Sequence, residues 1–226
     1  MAEYAGGDRR PIASRELKVF QRMAGGLARA GVSANGISVF GMVVAIVGGA
    51  LLVGTSLVEG VWVRVFFGVA AVCIQVRLIA NMLDGMVAIA SGKASALGEL
   101  FNEIPDRISD TAVLVGAGYA AGGCPTLGWA AACVALFVTY VRAVGKGVGV
   151  MGLFHGPMAK SHRMFLLTVA CFYVALAPAA WQPMWKVHEA VVGVMAVALA
   201  VVVVGGVATA LRRLVRMVAA LRRGGK

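Results

Sequence analysis

Charge is what this chain lacks most. Of its 226 residues only 14% are Asp, Glu, Lys or Arg, while 60% are apolar and the mean hydropathy is +0.87. A water-soluble domain covers its surface with about 25% charged residues. That shortage excludes an ordinary soluble fold, because lipid must replace water over most of the exterior. Acidic residues are scarcest, ten against twenty-one basic ones. The net charge of +11 would suit nucleic acid, but the basic residues cluster beside apolar runs, where anionic headgroups sit, so no nucleic-acid partner is expected. Paired cysteines are missing too. Cys73, Cys124, Cys133 and Cys171 form no CxxC pair and have no histidine at zinc spacing, which leaves them as small buried hydrophobes. There is no internal repeat and no linker long enough to separate a second domain. No cleavable leader is visible, since the first apolar run begins near Ser33 after a charged stretch, and the N-terminus is expected to stay attached.

What the chain does have is long apolar runs, at roughly 34–56, 61–90, 95–121, 126–151, 163–181 and 187–211. A bilayer core needs about 20 apolar residues in a helix, the form that satisfies its own backbone hydrogen bonds in lipid. The reading is an all-α polytopic membrane protein with six transmembrane helices. Before them, Arg15 to Arg29 mixes Leu17, Val19, Phe20, Met23 and Leu27 with Lys18, Arg22 and Arg29, the pattern of an amphipathic surface helix. The expected layout is a cytoplasmic arm at 1–32, a transmembrane catalytic domain at 33–211 and a basic cytoplasmic tail at 212–226. Seventeen lysines and arginines fall on one side of such a bundle and only Lys186 on the other. By the positive-inside rule both termini are cytoplasmic and the span number is even. Trp181 and Trp185 read as an interfacial belt, and the tail from Arg212 as lying along anionic headgroups.

One polar stretch interrupts the apolar background. Asn81 to Asp110 holds Asp84, Glu99, Glu103, Asp106 and Asp110, half of all the acidic residues. Charge at membrane depth is costly and usually lines a site; the plainer alternative is a solvated loop. The spacing argues for a site. Asn81, Asp84 and Ala88 share one helix face, and Gly98, Asn102, Asp106 and Asp110 recur every four residues on the next helix. SGKAS between them makes a short turn, so the polar faces of an antiparallel pair can meet. Gly85 and Gly98 would let a backbone or phosphate approach closely. Hard oxygen ligands from two helices suit Mg2+, Mn2+ or Ca2+ rather than zinc.

These residues resemble the CDP-alcohol phosphotransferases, whose signature is DxxDGxxAR, eight residues, then GxxxDxxxD. Here the spacing is intact: Asn81, Asp84, Gly85, Ala88, Ile89, Gly98, Asn102 and Asp106 stand at the motif positions. VSANGIS at 32–38, with Asn35, is similar to the TPNxIT stretch of the family, and HGPMAKSHR at 155–163 to its basic loop. The resemblance implies a six-helix fold, usually a homodimer, with its site at the cytoplasmic face of an inner (cell) membrane of a bacterium. It implies transfer of a phosphatidyl group from a CDP-linked lipid such as CDP-diacylglycerol to an acceptor alcohol, releasing CMP, in phospholipid biosynthesis. By residue it makes Asp84, Asn81, Asn102 and Asp106 ligands of one or two Mg2+ or Mn2+ ions, and Asp106 the general base. Gly85, Ala88, Gly98, Asn35, Lys160 and Arg163 become candidates for substrate binding.

The departures carry weight. Asn81 and Asn102 replace two aspartates, as in a bacterial subgroup of the family, and Ile89 replaces the arginine. Asparagine keeps a carbonyl oxygen but loses the charge. Two divalent ions facing only Asp84 and Asp106 would be poorly neutralised, so one tight ion, or a second arriving with the substrate's pyrophosphate, is expected. Glu103 and Asp110 are candidates for compensation, though Glu103 points about 100° from Asn102; Lys93 is one for the missing guanidinium. Lys160 and Arg163 either bind an anionic acceptor such as a sugar phosphate or simply mark the positive-inside loop. Arg77 reads as a structural ion pair before a catalytic group, and His155 and His162 as bystanders. Two other functions compete. One is a catalytically weakened member that binds lipid or nucleotide or partners a true synthase. The other is a small transporter, which would leave the motif spacing a coincidence.

Overall fold

A computed structural model of the chain describes residues 17–92, 96–153, 156–187 and 190–224. Lys93, His155 and the expected N-terminal arm up to residue 16 lie outside them. The described residues form helices α1 (Lys18–Arg29), α2 (Ala34–Gly54), α3 (Val61–Ala90), α4 (Ala96–Tyr119), α5 (Pro125–Gly147), α6 (Lys160–Leu176) and α7 (Val194–Gly224). A short hairpin, β1 (Trp185–Val187) with β2 (Ala190–Val192), precedes α7. The last helix therefore begins later than the apolar run at 187–211 suggested, because residues 185–187 and 190–192 pair as antiparallel strands. It then runs on without a break through Arg212, Arg213 and Arg216 to the end of the described chain.

Local chemistry sets these limits. Ser33 caps α2 by accepting the Gly36 N–H at 3.0 Å. Pro125 opens α5, where its missing N–H costs nothing. Gly60 turns the chain into α3 at φ 62°, a left-handed backbone that glycine adopts freely. Four helices, α2, α3, α5 and α7, are long and apolar enough to cross a bilayer. The other two expected spans fall short on that measure. α4 carries five charged residues between Glu99 and Asp110, and α6 has only 17 residues against the roughly 20 a bilayer core asks for.

Packing follows a rule opposite to that of a soluble bundle. On α2 the inward positions are Gly41, Ala45, Gly48, Gly49 and Leu52, while Phe40, Val43, Ile46 and Val47 face out. Small residues let helices approach where lipid supplies no hydrophobic drive for association. The closest approach joins α2 to α4: a Cβ on Gly116 would lie 2.4 Å from the Gly49 carbonyl oxygen, and one on Gly49 would lie 2.4 Å from that of Ala112. α1 lays Phe20, Ala24, Leu27 and Ala28 against the start of α2 and the end of α3. Its Lys18, Gln21, Arg22 and Arg29 line a shallow groove on the other face.

Two polar ties fix α6. Arg163, 1% exposed, donates through Nη2 to Asp110 Oδ2 on α4 at 3.1 Å and through Nη1 to the Met158 carbonyl at 3.1 Å. The approach to α6 is pinned to α7, where the Met158 N–H donates to Thr209 Oγ1 at 2.9 Å.

Both features are open to test by thermal unfolding in detergent. Gly116→Val should destabilise by about 1–3 kcal/mol, the usual cost of overpacking a tight contact. An unchanged midpoint would remove the close α2–α4 crossing. Arg163→Leu should cost about 3–5 kcal/mol by stranding the Asp110 carboxylate, and the double change Arg163→Leu with Asp110→Leu should recover much of it.

Candidate active site

The site forms where α2 begins, α3 ends and α4 and α6 begin. On α3, Arg77, Asn81 and Asp84 follow one another at steps of four and three, which puts them on one face. α4 brings Asn102 and Asp106 to that face, α2 brings Ser38 and Gly41, and α6 brings Lys160, its first residue. Ser38, Gly41, Arg77, Asn81, Asp84 and Asp106 line a narrow crevice that does not admit a water molecule. Its closeness comes partly from Gly41, where an added Cβ would stand 3.0 Å from the Ala80 Cβ of α3.

Each carboxylate oxygen in the crevice has a donor. Asp84, 3% exposed, accepts the Ser38 hydroxyl at Oδ2 (2.6 Å) and the Gly85 N–H at Oδ1 (2.5 Å). Asp106 accepts at Oδ1 from Arg77 Nη2 and from Asn81 Nδ2 (2.7 Å), and at Oδ2 from Lys160 Nζ. Arg107 Nη2 lies 4.0 Å from that same Oδ2. Asn81 is the hub of the network. Its Nδ2 also donates to Asn102 Oδ1 at 2.8 Å, and its Oδ1 accepts from Lys160 at 3.3 Å. An aspartate at 81 could not donate to either partner; the amide can.

The remaining acidic residues of the polar stretch are claimed elsewhere. Glu103 pairs with Arg107 at 2.6 Å and with Arg142 of α5 at 2.5 Å, Glu99 pairs with Lys146 of α5, and Asp110 with Arg163. Glu103 and Asp110 therefore do not make up for the two missing aspartates. Arg77 and Lys160 both pair with Asp106, and Asp84 has only the Ser38 hydroxyl and the Gly85 N–H, so the site holds two carboxylates and two cations. Among the described residues no group of three His, Cys, Asp or Glu side chains converges as a metal site. A divalent ion placed about 4 Å from the Lys160 ammonium would meet roughly 8 kcal/mol of repulsion at an effective dielectric of about 20. As arranged, the residues present do not fit a divalent ion held by the protein alone.

The structure brings together Asn81, Asp84, Asn102, Asp106 and Lys160. Gly85 joins them through its backbone. Ala88, Gly98 and Asn35 are half-buried and not among the residues that line the crevice; nor is Arg163, which is occupied with Asp110. Ile89 is 56% exposed. His162 is exposed, with its Nδ1 3.1 Å from the Pro157 carbonyl. Sequence reasoning missed Ser38 and Gly41, which stand in an apolar run. It placed Arg77 in an ion pair without foreseeing that the partner would be Asp106. The one available signal was that Arg77 and Asn81 are four residues apart.

No family model matches the chain, and no curated protein matches its sequence. Solved structures do match its fold. The phosphatidylinositol phosphate synthase PgsA1 of Mycobacterium tuberculosis, solved in complex with manganese and citrate, superposes with a TM-score of 0.69 at 18% identity, covering 88% of each chain. The same enzyme with CDP-DAG bound gives 0.69 at 18% identity over 89% of this chain and 94% of that one. Its apo form gives 0.67 at 19%, over 85% and 93%. At this identity the likeness is one of fold: the chain takes the fold of that synthase over nearly nine-tenths of its length.

Proposed function

We propose that this protein is a membrane-embedded transferase that moves a phosphatidyl group from a CDP-linked lipid to an acceptor alcohol and releases CMP. The observation that carries the reading is the meeting of the motif residues Asn81 and Asp84 on α3 with Asp106 on α4 in one crevice, with Asn102 of α4 hydrogen-bonded to Asn81. The fold shared with a phosphatidylinositol phosphate synthase supports it, as does the CDP-DAG bound to that enzyme. In the proposed arrangement six helices cross an inner (cell) membrane of a bacterium, α1 lies at its surface, and the chain acts as a homodimer. The excess of basic residues on one side supports a cytoplasmic position for both termini and for the site.

The reaction is displacement at phosphorus. The acceptor oxygen attacks the lipid-bearing phosphorus, the bond to the CMP oxygen breaks, and the acceptor proton passes to Asp106. A carboxylate within about 3 Å of that hydroxyl is a competent general base. Asp106 becomes available when the incoming diphosphate draws Lys160 and Arg77 onto its own oxygens. Asp84, held by Ser38 and Gly85, stands at the crevice wall and keeps the Asn81 face in register. Gly85, Ala88 and Gly98 would flank the nucleotide, and Asn35 would stand near the lipid's path. Lys160, with Arg163 behind it, gives the loop its preference for an anionic acceptor. Asp84, Asn81, Asn102 and Asp106 are proposed ligands of Mg2+ or Mn2+ only for an ion that brings the substrate's phosphate oxygens with it.

The second reading, a binder with weak or no turnover, is favoured by one observation: Asp106 is held by two cations in a closed crevice.

Purified protein given CDP-diacylglycerol, Mg2+ or Mn2+ and a panel of alcohols should release CMP. Failure with every acceptor, together with retained CDP-lipid binding, would decide for the binder. Asp106→Asn should lower turnover by about 10²–10⁴-fold, the usual contribution of a general base, with nucleotide binding kept. An active variant would remove Asp106 from that role.

A further inference from the structure

We infer that the Lys160 ammonium is a resident counter-cation which, in the substrate-free protein, holds the place of a divalent ion between α3 and α4. This deepens the transferase reading and rests on it only for the identity of the incoming anion, a nucleoside diphosphate ester. Lys160 Nζ touches both Asp106 Oδ2 and, at 3.3 Å, Asn81 Oδ1. Those two positions, one on each helix, are two of the four at which the resemblance would put metal ligands. The ammonium bridges them instead, from a side chain 18% exposed.

Charge balance says why. Asparagine at 81 and 102 removes two negative charges; of the two carboxylates that remain, Asp106 takes both Arg77 and Lys160, while Asp84 is held by the Ser38 hydroxyl and the Gly85 N–H. A divalent ion added to this buried, neutral set would leave two positive charges uncompensated, which a site without water disfavours. An anion meets the opposite situation. Arg77 Nε and Nη1 are buried without a hydrogen-bond partner. Buried donors of this kind call for an acceptor. Phosphate oxygens supply acceptors and negative charge together, and Arg77 and Lys160 present the donors that receive them. The free site thus recruits the substrate's anion first and holds no metal of its own.

The test needs no substrate. Full-length protein in detergent is stripped with EDTA and dialysed, and Mn2+ is added while the signal of the free aqueous ion is followed by electron paramagnetic resonance. Wild type should leave that signal undiminished at Mn2+ concentrations equal to the protein. Lys160→Met should remove it stoichiometrically, and Lys160→Arg should behave as wild type. Stoichiometric binding by wild type overturns the inference whatever the variants do. So does a Lys160→Met protein with the wild-type melting temperature and no gain in binding; Lys160→Gln replaces it should Met at 160 prevent folding. CMP release without Mn2+ binding by the free protein supports both readings. Release accompanied by binding in the free protein sinks only the counter-cation, and no release with any alcohol sinks only the transferase.

Discussion

The Asp106 carboxylate is the junction on which the site depends. It collects Arg77 and Asn81 from α3 and Lys160 from α6, and it does so at the edge of a bundle with little other charge. A carboxylate in such surroundings is stable as an ion only when cations and hydrogen-bond donors replace the water it has lost. The same requirement explains why so many of the chain's few acidic residues stand in pairs: Asp110 with Arg163, Glu103 with Arg107 and Arg142, Glu99 with Lys146. Helix association within lipid lacks a hydrophobic drive, so these pairs and the glycine contacts between α2 and α4 carry a large share of what fixes one helix against another. The chemistry of the site and the architecture of the bundle use the same side chains.

Asparagine at 81 and 102 changes the site more than by a loss of charge. Asn81 donates to Asn102 and to Asp106 while accepting from Lys160, three contacts that an aspartate could not make together. The pair of amides joins α3 to α4 by a hydrogen bond where two aspartates would repel. Neutral amides, a lysine and an arginine form a self-consistent set, and each of the four would be less comfortable if one of the others reverted.

Much of this was legible from the sequence, and for identifiable reasons. The apolar runs place α2 to α6 to within several residues, because lipid forces a composition that water never would, whereas α7 begins later and ends well beyond its run. Asn81, Asp84, Asn102 and Asp106 announce themselves as polar residues at helical spacing where polar residues are expensive. Other features were hidden. The run at 187–211 gives no sign that residues 185–187 and 190–192 pair as antiparallel strands, since Trp, Val and Ala suit a strand and a span alike. The polar content of α4 and the brevity of α6 put them below the length and hydropathy of the other four long helices. Ser38 and Gly41 belong to the site through a crossing of α2 over α3, a tertiary contact that no spacing rule reports. Pairing is the hardest to read: Arg163 and Lys160 lie three residues apart in one basic loop, yet one is buried against Asp110 and the other reaches Asp106.

The tie between Met158 and Thr209 bears on how the site can change state. It anchors the backbone only two residues before Lys160, and it does so from α7, a helix that contributes nothing else to the crevice. With its Cα so moored, the ammonium can change partners only by swinging its four-carbon stem. Such a move is a change of rotamer, not a rearrangement of helices. The gate of this site is one flexible arm on a fixed post.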